Sequence, residues 1–246
     1  PSGHQIRVSA RRFLSMVADE IGAIRYSVSS ENFTGIIRLK PYLDGNIMNR
    51  DANYDEKFWE VLDCGFSREQ GYLKAKTLKS GFEVSYSMVN VLYKNNKPVS
   101  PHSVQICEPG FIGTEFSIPV TKKDDITIYK YVSVLDSLNY KSDVLIEKSL
   151  AAASRSSQKT FDGLFEEHRK FWEENWEHSD IVIKGDPAAQ QGIRFNIFQL
   201  NQTYTGRDER LNIGPKGFTG EKYGGSTYWD TEAFLIPFYL STEPSK

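Results

Sequence analysis

The first half of the chain alternates apolar and polar residues in short runs, a pattern typical of antiparallel β-strands. The alternation extends from Ile6 to about Val134 and is clearest in Val84-Ser85-Tyr86-Ser87-Met88. Turn-forming residues separate the runs, as at Asp44-Gly45-Asn46 and Asn95-Asn96. Short strands divided in this way predict an antiparallel β-sandwich, present in part, over residues 1–137.

Beyond the predicted sandwich, apolar residues recur at every third or fourth position, which indicates helices. Leu145 to Ala153 and Thr160 to Trp176 are predicted to form two helices, separated by a polar link from Ser154 to Lys159. His168 lies on the apolar face of the second helix, which favours a hydrogen-bonded structural histidine over a metal ligand. We therefore interpret residues 138–184 as a helical linker.

Another helix is predicted after Gly185-Asp186-Pro187, which supplies a turn, an N-cap and a proline suited to the first helical position. Thr231 to Leu240 forms a further helical segment that Pro237 should kink or shorten. Residues 185–246 are thus predicted to begin an α-helical domain. The apolar stripe of its first helix consists of Ile193, Ile197, Leu200 and Tyr204.

The long segment from Gly206 to Glu232 shows neither helical nor strand periodicity, and it is rich in glycine and aromatic residues. A loop of this length inside a compact domain is usually a binding site or disordered, and its aromatic content favours a binding site. The glycines do not form a phosphate-binding P-loop, because the Gly-Lys-Ser/Thr ending is absent. The segment ends in Tyr228-Trp229-Asp230, where a flat aromatic ring precedes a carboxylate.

Trp229 and Asp230 each allow two interpretations. Asp230 could cap the following helix, and Trp229 could be a core aromatic residue. If both face a ligand, they combine a flat apolar surface with hydrogen-bond acceptors, which suits a neutral polyhydroxylated molecule. Asp230 and Glu232 also resemble the paired carboxylates of glycosyl transfer, but residues two apart on a helix point to different sides.

Composition narrows the classes of ligand and compartment. A net charge of −2 and a pI near 6.2 argue against nucleic-acid and anionic-membrane partners. Cys64 and Cys107 are too few for a disulfide framework, which favours a cytoplasmic protein, and the histidines share no metal-ligand spacing. The chain begins at Pro1 and stops at Lys246 just after an apolar segment, so we expect a piece of a longer protein.

The segment from Gly217 to Glu232, with its Trp-Asp-Thr-Glu core, resembles the signature of the inverting disaccharide phosphorylases, a family that includes maltose, kojibiose and trehalose phosphorylases. Within that family, Tyr223-Gly-Gly-Ser-Thr-Tyr228 is more similar to the maltose phosphorylases. Three other segments resemble family segments in the same order, so the similarity spans nearly the whole chain. They are Arg12-Phe-Leu-Ser-Met16, Leu43-Asp-Gly-Asn46 and Arg194-Phe-Asn-Ile-Phe198.

This resemblance implies a multi-domain β plus α fold, with an N-terminal β-sandwich, a helical linker and an (α/α)6 barrel of which residues 185–246 form the truncated start. It also implies that Trp229 and Asp230 hold the non-reducing glucose of the substrate, while Glu232 is structural. In the family a glutamic acid protonates the glycosidic oxygen and phosphate attacks the anomeric carbon from the opposite face. That acid and the phosphate-binding residues are expected C-terminal of Lys246, so no catalytic residue is assigned within the chain.

The implied reaction is phosphorolysis of an α-glucosidic disaccharide such as maltose, giving β-glucose 1-phosphate and glucose. Inorganic phosphate is then the co-substrate, and no cofactor or metal is expected. The 246-residue chain alone is expected to be inactive. Other interpretations stay open: another substrate (kojibiose, nigerose or trehalose), hydrolysis, or a non-catalytic module for carbohydrate binding or for formation of a homodimer.

Overall fold

The computed structural model describes residues 3–48, 57–214 and 228–244. These residues divide into two compact units, the first ending at His168 and the second beginning at Arg169. None of the helices among the described residues is long and apolar enough to cross a membrane. The domain boundaries predicted at residues 137 and 184 remain predictions.

The first unit contains two antiparallel sheets, as the alternating pattern predicts. In sheet A the strand order is β1-β2-β11-β7-β6-β5, with β8 paired to β7; in sheet B it is β3-β10-β4, with β9 paired to β10. The strands are β1 Ile6–Leu14, β2 Ile21–Ser30, β3 Gly35–Leu39, β4 Tyr42–Asp44, β5 Trp59–Ser67, β6 Gln70–Thr77, β7 Glu83–Lys94, β8 Lys97–Val99, β9 His102–Glu108, β10 Phe111–Val120 and β11 Asp125–Asp136.

The predicted turn at Asn95-Asn96 sets the register between β7 and β8, whereas no turn is found at Gly45-Asn46, where the chain leaves β4. Asn95 and Asn96 have φ angles of 50° and 61° and join β7 to β8, the geometry of a two-residue hairpin turn. A core of branched aliphatic side chains from both sheets fills the interior, as alternation with one inward face requires. Its buried members are Val28, Ile37, Leu92, Ile118, Val120, Ile126 and Ile128.

Helix α1, Leu145–Lys159, packs against sheet A and follows a short 3₁₀ turn, Ser142–Val144. Leu145 is fully buried there together with Tyr131 and Leu135 of β11. The prediction of a polar link from Ser154 to Lys159 is wrong, because these residues continue α1. The link prediction failed because the serine hydroxyls find partners inside the helix. Ser156 Oγ donates to the Ala152 carbonyl, and Ser157 Oγ donates to the Ser154 carbonyl.

The contact between α1 and sheet A contains a buried cluster of serines. Ser149 Oγ lies 2.8 Å from Ser85 Oγ and 2.6 Å from Ser87 Oγ, and the Ser133 hydroxyl donates to the Ser149 carbonyl over 2.7 Å. All four residues are fully buried. One helix hydroxyl therefore provides the hydrogen-bond partner for two hydroxyls of β7.

We expect Ser149→Ala to lower the free energy of unfolding of the first unit by about 1–3 kcal/mol, because it leaves the Ser85 and Ser87 hydroxyls buried without this partner. Chemical denaturation followed by far-UV circular dichroism measures the change. Ser157→Ala is the matched control, since it removes a half-buried hydroxyl that bonds only locally, to the Ser154 carbonyl. Equal losses in the two variants would contradict a special role for the cluster.

Helix α2, Phe161–Ser179, begins directly after α1. The break falls at Thr160, whose φ of 67° lies in the left-handed region and cannot continue a helix. His168 Nδ1 accepts a hydrogen bond from the Met16 backbone N–H over 3.3 Å, and the imidazole packs against Phe13. Partial burial lowers the pKa of His168, which keeps the ring neutral and able to accept this bond. This agrees with the structural role predicted for the histidine.

The second unit contains α3, Pro187–Thr203, whose start follows the prediction closely. Gly185 has a φ of 88°, and Asp186 Oδ1 accepts hydrogen bonds from the Ala188 and Ala189 N–H groups, each over 3.0 Å. The final helical segment differs from a regular helix. Thr231–Leu235 forms a π-helix, and α4, Ile236–Thr242, continues from it with Pro237 in its first turn.

Candidate functional site

Trp229 and Asp230 lie in the first helical turn of the final segment, directly before the π-helix. Trp229 is 87% exposed, the most exposed large apolar side chain among the described residues. Asp230 is exposed as well. A core position for Trp229 is therefore excluded within the second unit as described. This segment combines a π-helix, a rare helix type that is frequent at functional sites, with a solvent-facing indole and carboxylate.

The N-cap interpretation of Asp230 is wrong in this structure. Its φ and ψ angles, −55° and −34°, are helical, and its side chain makes no capping hydrogen bond. Asp186, by contrast, is a true N-cap. Its φ and ψ angles of −135° and 93° are extended, and its carboxylate accepts hydrogen bonds from two backbone N–H groups. The Asp230 carboxylate is thus not needed to begin the helix and faces solvent beside Trp229.

Thr231, the next residue, is buried and fixes the position of the exposed Trp229 and Asp230. The residue is only 4% exposed, and its hydroxyl donates to the Ile213 carbonyl over 2.7 Å. Ile213 and Thr231 both belong to the glycine-rich segment from Gly206 to Glu232, so this bond joins two of its residues that are 18 positions apart in the sequence. The interior of the loop, residues 215–227, lies outside the described residues. The Thr231 backbone N–H also donates to the Tyr228 carbonyl over 3.1 Å.

Tyr239 ties the same helical segment to α3. Its hydroxyl donates to the Leu200 carbonyl over 2.8 Å, and its ring packs edge-on against Tyr204 at a centroid distance of 5.5 Å. Burial raises the pKa of Tyr239 to about 12, so the phenol stays protonated and keeps donating at all ordinary pH values. The hydrogen bonds of Thr231 and Tyr239 thus hold in place the helical segment that carries Trp229 and Asp230.

The exposed side chains of Trp229 and Asp230 can together recognise a ligand that carries hydroxyl groups beside an apolar face. The indole of Trp229 offers a flat surface to the C–H side of a sugar ring, and the Asp230 carboxylate can accept charge-assisted hydrogen bonds from sugar hydroxyls. Glu232 is exposed one residue beyond Thr231, and its predicted structural role remains a prediction. The described residues contain no group of three or more metal-ligating side chains.

The segment Arg194 to Phe198, one of the family-like segments, holds the second unit together. Arg194 forms a two-pronged ion pair with Asp180, with Nε to Oδ1 at 2.8 Å and a terminal nitrogen to Oδ2 at 2.6 Å. Arg194 lowers the pKa of Asp180, and Phe198 packs on Trp172. Arg194 is therefore engaged with the protein itself rather than poised for a ligand.

The other two family-like segments have comparable scaffold contacts in the first unit. In the first, Phe13 packs edge-on against Phe161 and Phe165. In the second, the Asn46 amide donates to the Pro109 carbonyl over 2.8 Å, and the Gly45 N–H donates to the Gly110 carbonyl at the same distance. These segments fix the fold, so the described candidate site is confined to Trp229 and Asp230.

Comparison with known protein families decides the classification. Residues 1–175 match the profile of the N-terminal domain of glycosyl hydrolase family 65. The chain belongs to glycosyl hydrolase family 65. Residues 194–246 match the central catalytic domain of the same family. The family assignment confirms the fold predicted from the sequence, an antiparallel β-sandwich followed by the start of a helical barrel.

The curated relatives of this family 65 chain include several disaccharide phosphorylases. The chain is 38% identical to maltose phosphorylase of Bacillus subtilis, over 96% of this chain and 31% of the relative. It is 31% identical to an alpha,alpha-trehalose phosphorylase of Thermoanaerobacter brockii, over 99% of this chain and 32% of the relative. The chain thus spans about a third of the length of these relatives.

A solved structure supports the same fold. The structure named "Putative kojibiose phosphorylase from human microbiome" superposes with a TM-score of 0.88 at 26% sequence identity, covering 100% of this chain and 31% of the other. The family 65 catalytic profile includes Trp229, Asp230 and Thr231. Sequence reasoning singled out the first two but missed Thr231, whose only signal was a small polar residue beside an aromatic-carboxylate pair.

Proposed function

We propose that this chain is part of an inverting disaccharide phosphorylase, in which Trp229 and Asp230 hold the non-reducing glucose of an α-glucosidic substrate such as maltose. The observation that carries the proposal is the exposed indole and carboxylate on an anchored helix start, within a family whose curated relatives include disaccharide phosphorylases. Inorganic phosphate is the co-substrate, and no cofactor is required.

The contribution of Asp230 to catalysis follows from its position. Hydrogen bonds from sugar hydroxyls to the carboxylate strengthen as the ring flattens and positive charge develops at the anomeric carbon. The indole of Trp229 excludes water from one face of the ring and fixes its orientation. The general acid, a glutamic acid, and the phosphate-binding residues are proposed to lie C-terminal of Lys246.

The full-length protein is tested with maltose, kojibiose, nigerose and trehalose, each with and without phosphate. We expect phosphate-dependent cleavage of maltose to be the fastest reaction, in line with the 38% identity to a maltose phosphorylase. If another disaccharide is cleaved faster, the proposed substrate changes but the proposed reaction, phosphorolysis, stands. Cleavage that does not depend on phosphate would make the protein a hydrolase and contradict the proposal.

We also propose a compartment and an assembly state. A cytoplasmic protein is consistent with two free thiols, which a reducing compartment maintains. A homodimer is consistent with the exposed apolar side chains along β1, such as Ile6 and Val8, which lies at an edge of sheet A. Analytical ultracentrifugation of the full-length protein distinguishes a dimer from a monomer.

Thr231 is proposed as a positioning residue for the glucose subsite. We expect Thr231→Val to reduce kcat/KM of the full-length protein by about 10- to 100-fold, because the Trp229-Asp230 pair loses its tie to the Ile213 carbonyl and shifts. Thr231→Ser retains the hydroxyl and should restore most of the activity. Steady-state kinetics on the preferred disaccharide measure both variants, and wild-type kcat/KM in Thr231→Val would contradict this role.

A further inference from the structure

The two cysteines, which are far apart in the sequence, lie next to each other in the first unit. Cys64 Sγ is 3.6 Å from the Glu108 carbonyl oxygen, and Cys107 Sγ is 3.9 Å from the Cys64 carbonyl oxygen. Each sulfur thus approaches the backbone of the strand that carries the other. Both thiols are reduced, with Cys64 partly buried and Cys107 exposed.

The strands that carry them are both at sheet edges. Cys64 belongs to β5, the last strand of sheet A, and Cys107 belongs to β9, which pairs only with β10 among the described strands. One edge of each sheet therefore meets the other at this place. The Gln105 side-chain amide donates to the Arg68 carbonyl over 2.7 Å and gives a second link between β9 and the turn that follows β5.

Each sulfur lies within 4 Å of a carbonyl oxygen on the strand that carries the other cysteine, which brings the two thiols together. A disulfide forms without backbone movement when the two Cα atoms are about 4.4–6.8 Å apart. Desolvation and then the neighbouring Cys64 thiol raise the pKa of Cys107, which agrees with direct proximity of the two groups.

We propose that Cys64 and Cys107 form an oxidative modification site, at which a low-molecular-weight disulfide converts the two thiols into an intramolecular disulfide joining β5 to β9. A thiolate attacks the reagent and forms a mixed disulfide, releasing one reagent thiol. The second cysteine then attacks the protein sulfur and releases the other. One S–S bond breaks and one forms, so the two protein thiols are oxidised and the reagent is reduced to two thiols.

The consequence is a covalent tie between the free edges of the two sheets. The cross-link closes a loop of roughly 40 residues, which restricts the unfolded chain and stabilises the folded one. The site lies in the β-sandwich and involves neither Trp229 nor Asp230, so it is independent of the proposed sugar chemistry. In a reducing compartment the thiols stay free, and the bond forms only when the thiol pool becomes oxidised.

The test uses the folded 246-residue chain, shown to unfold cooperatively on heating, which is reduced and then incubated with glutathione disulfide. Intact-mass spectrometry should show the loss of two hydrogen atoms without retained glutathione, and peptide mapping should link the Cys64 and Cys107 peptides. Dithiothreitol should reverse the change. The thermal midpoint of the oxidised chain should rise by roughly 5–10 °C relative to the reduced chain.

Cys64→Ser and Cys107→Ser are the matched controls, because each leaves one thiol that cannot close the bond. Both should retain a single glutathione and show no rise in the thermal midpoint. Stable glutathione adducts on both cysteines of the unchanged chain, disulfide-linked dimers, or no reaction in the folded state would each overturn the proposal. A disulfide that lowers the thermal midpoint would overturn the stabilising role assigned to it.

Discussion

Asp230→Ala is expected to lower kcat/KM of the full-length protein by at least about a hundredfold while leaving its fold intact. The loss follows because the carboxylate is proposed to accept hydrogen bonds that strengthen as the glucose ring flattens, so its removal acts on the transition state more than on binding. The fold is expected to survive because Asp230 is exposed and makes no capping bond. Steady-state kinetics together with the thermal midpoint separate the two effects.

Glu232→Ala is the matched control for this variant. It removes the same charge from an exposed position two residues further along the same helical segment, where a structural role is predicted. We expect it to reduce kcat/KM far less than Asp230→Ala. Near-normal turnover of Asp230→Ala, or equal losses in the two variants, would show that the Asp230 carboxylate is not the specific sugar ligand.

The second large effect concerns the 246-residue chain by itself, which is expected to show no detectable phosphorolysis of maltose. It carries the proposed glucose contacts, but the general acid and the phosphate-binding residues are proposed to lie C-terminal of Lys246. Without protonation of the leaving oxygen and a bound nucleophile, a sugar held by Trp229 and Asp230 has no path to cleavage.

This expectation requires a folded sample, so the chain is first shown to unfold cooperatively on heating. Release of glucose 1-phosphate from maltose and phosphate is then measured for the chain and for the full-length protein at equal molar concentration. Phosphate-dependent turnover by the chain alone would contradict the placement of the acid. In that case Asp230 and Glu232, the carboxylates of the chain itself, would become the candidates for the general acid.

The strands and turns of the first unit could be predicted from the sequence because their causes are local. Alternation sets which side chains face the core, and Asn95 and Asn96 tolerate the positive φ angles that the hairpin needs. The start of α3 is equally local, since Asp186 caps it and Pro187 fits its first position. The prediction of a polar link failed because the hydroxyls of Ser156 and Ser157 can donate hydrogen bonds either to water or to carbonyls of their own helix.

The features that sequence reasoning missed depend on contacts between distant residues. The π-helix at Thr231–Leu235 has no local signature that distinguishes it from an α-helix, and the bond from Thr231 to Ile213 joins residues 18 positions apart in the sequence. The proximity of Cys64 and Cys107 depends on where the edges of two sheets meet, which alternation within a strand does not specify. Pairs of this kind become visible only in the folded chain.

The central proposal is that this chain is part of an inverting disaccharide phosphorylase. It is tested most directly by proton and phosphorus NMR of the full-length protein acting on maltose and phosphate, with spectra recorded before the product anomers equilibrate. The account predicts β-glucose 1-phosphate as the first phosphorylated product, formed together with glucose in equal amounts. Formation of α-glucose 1-phosphate, or of glucose alone, would contradict it.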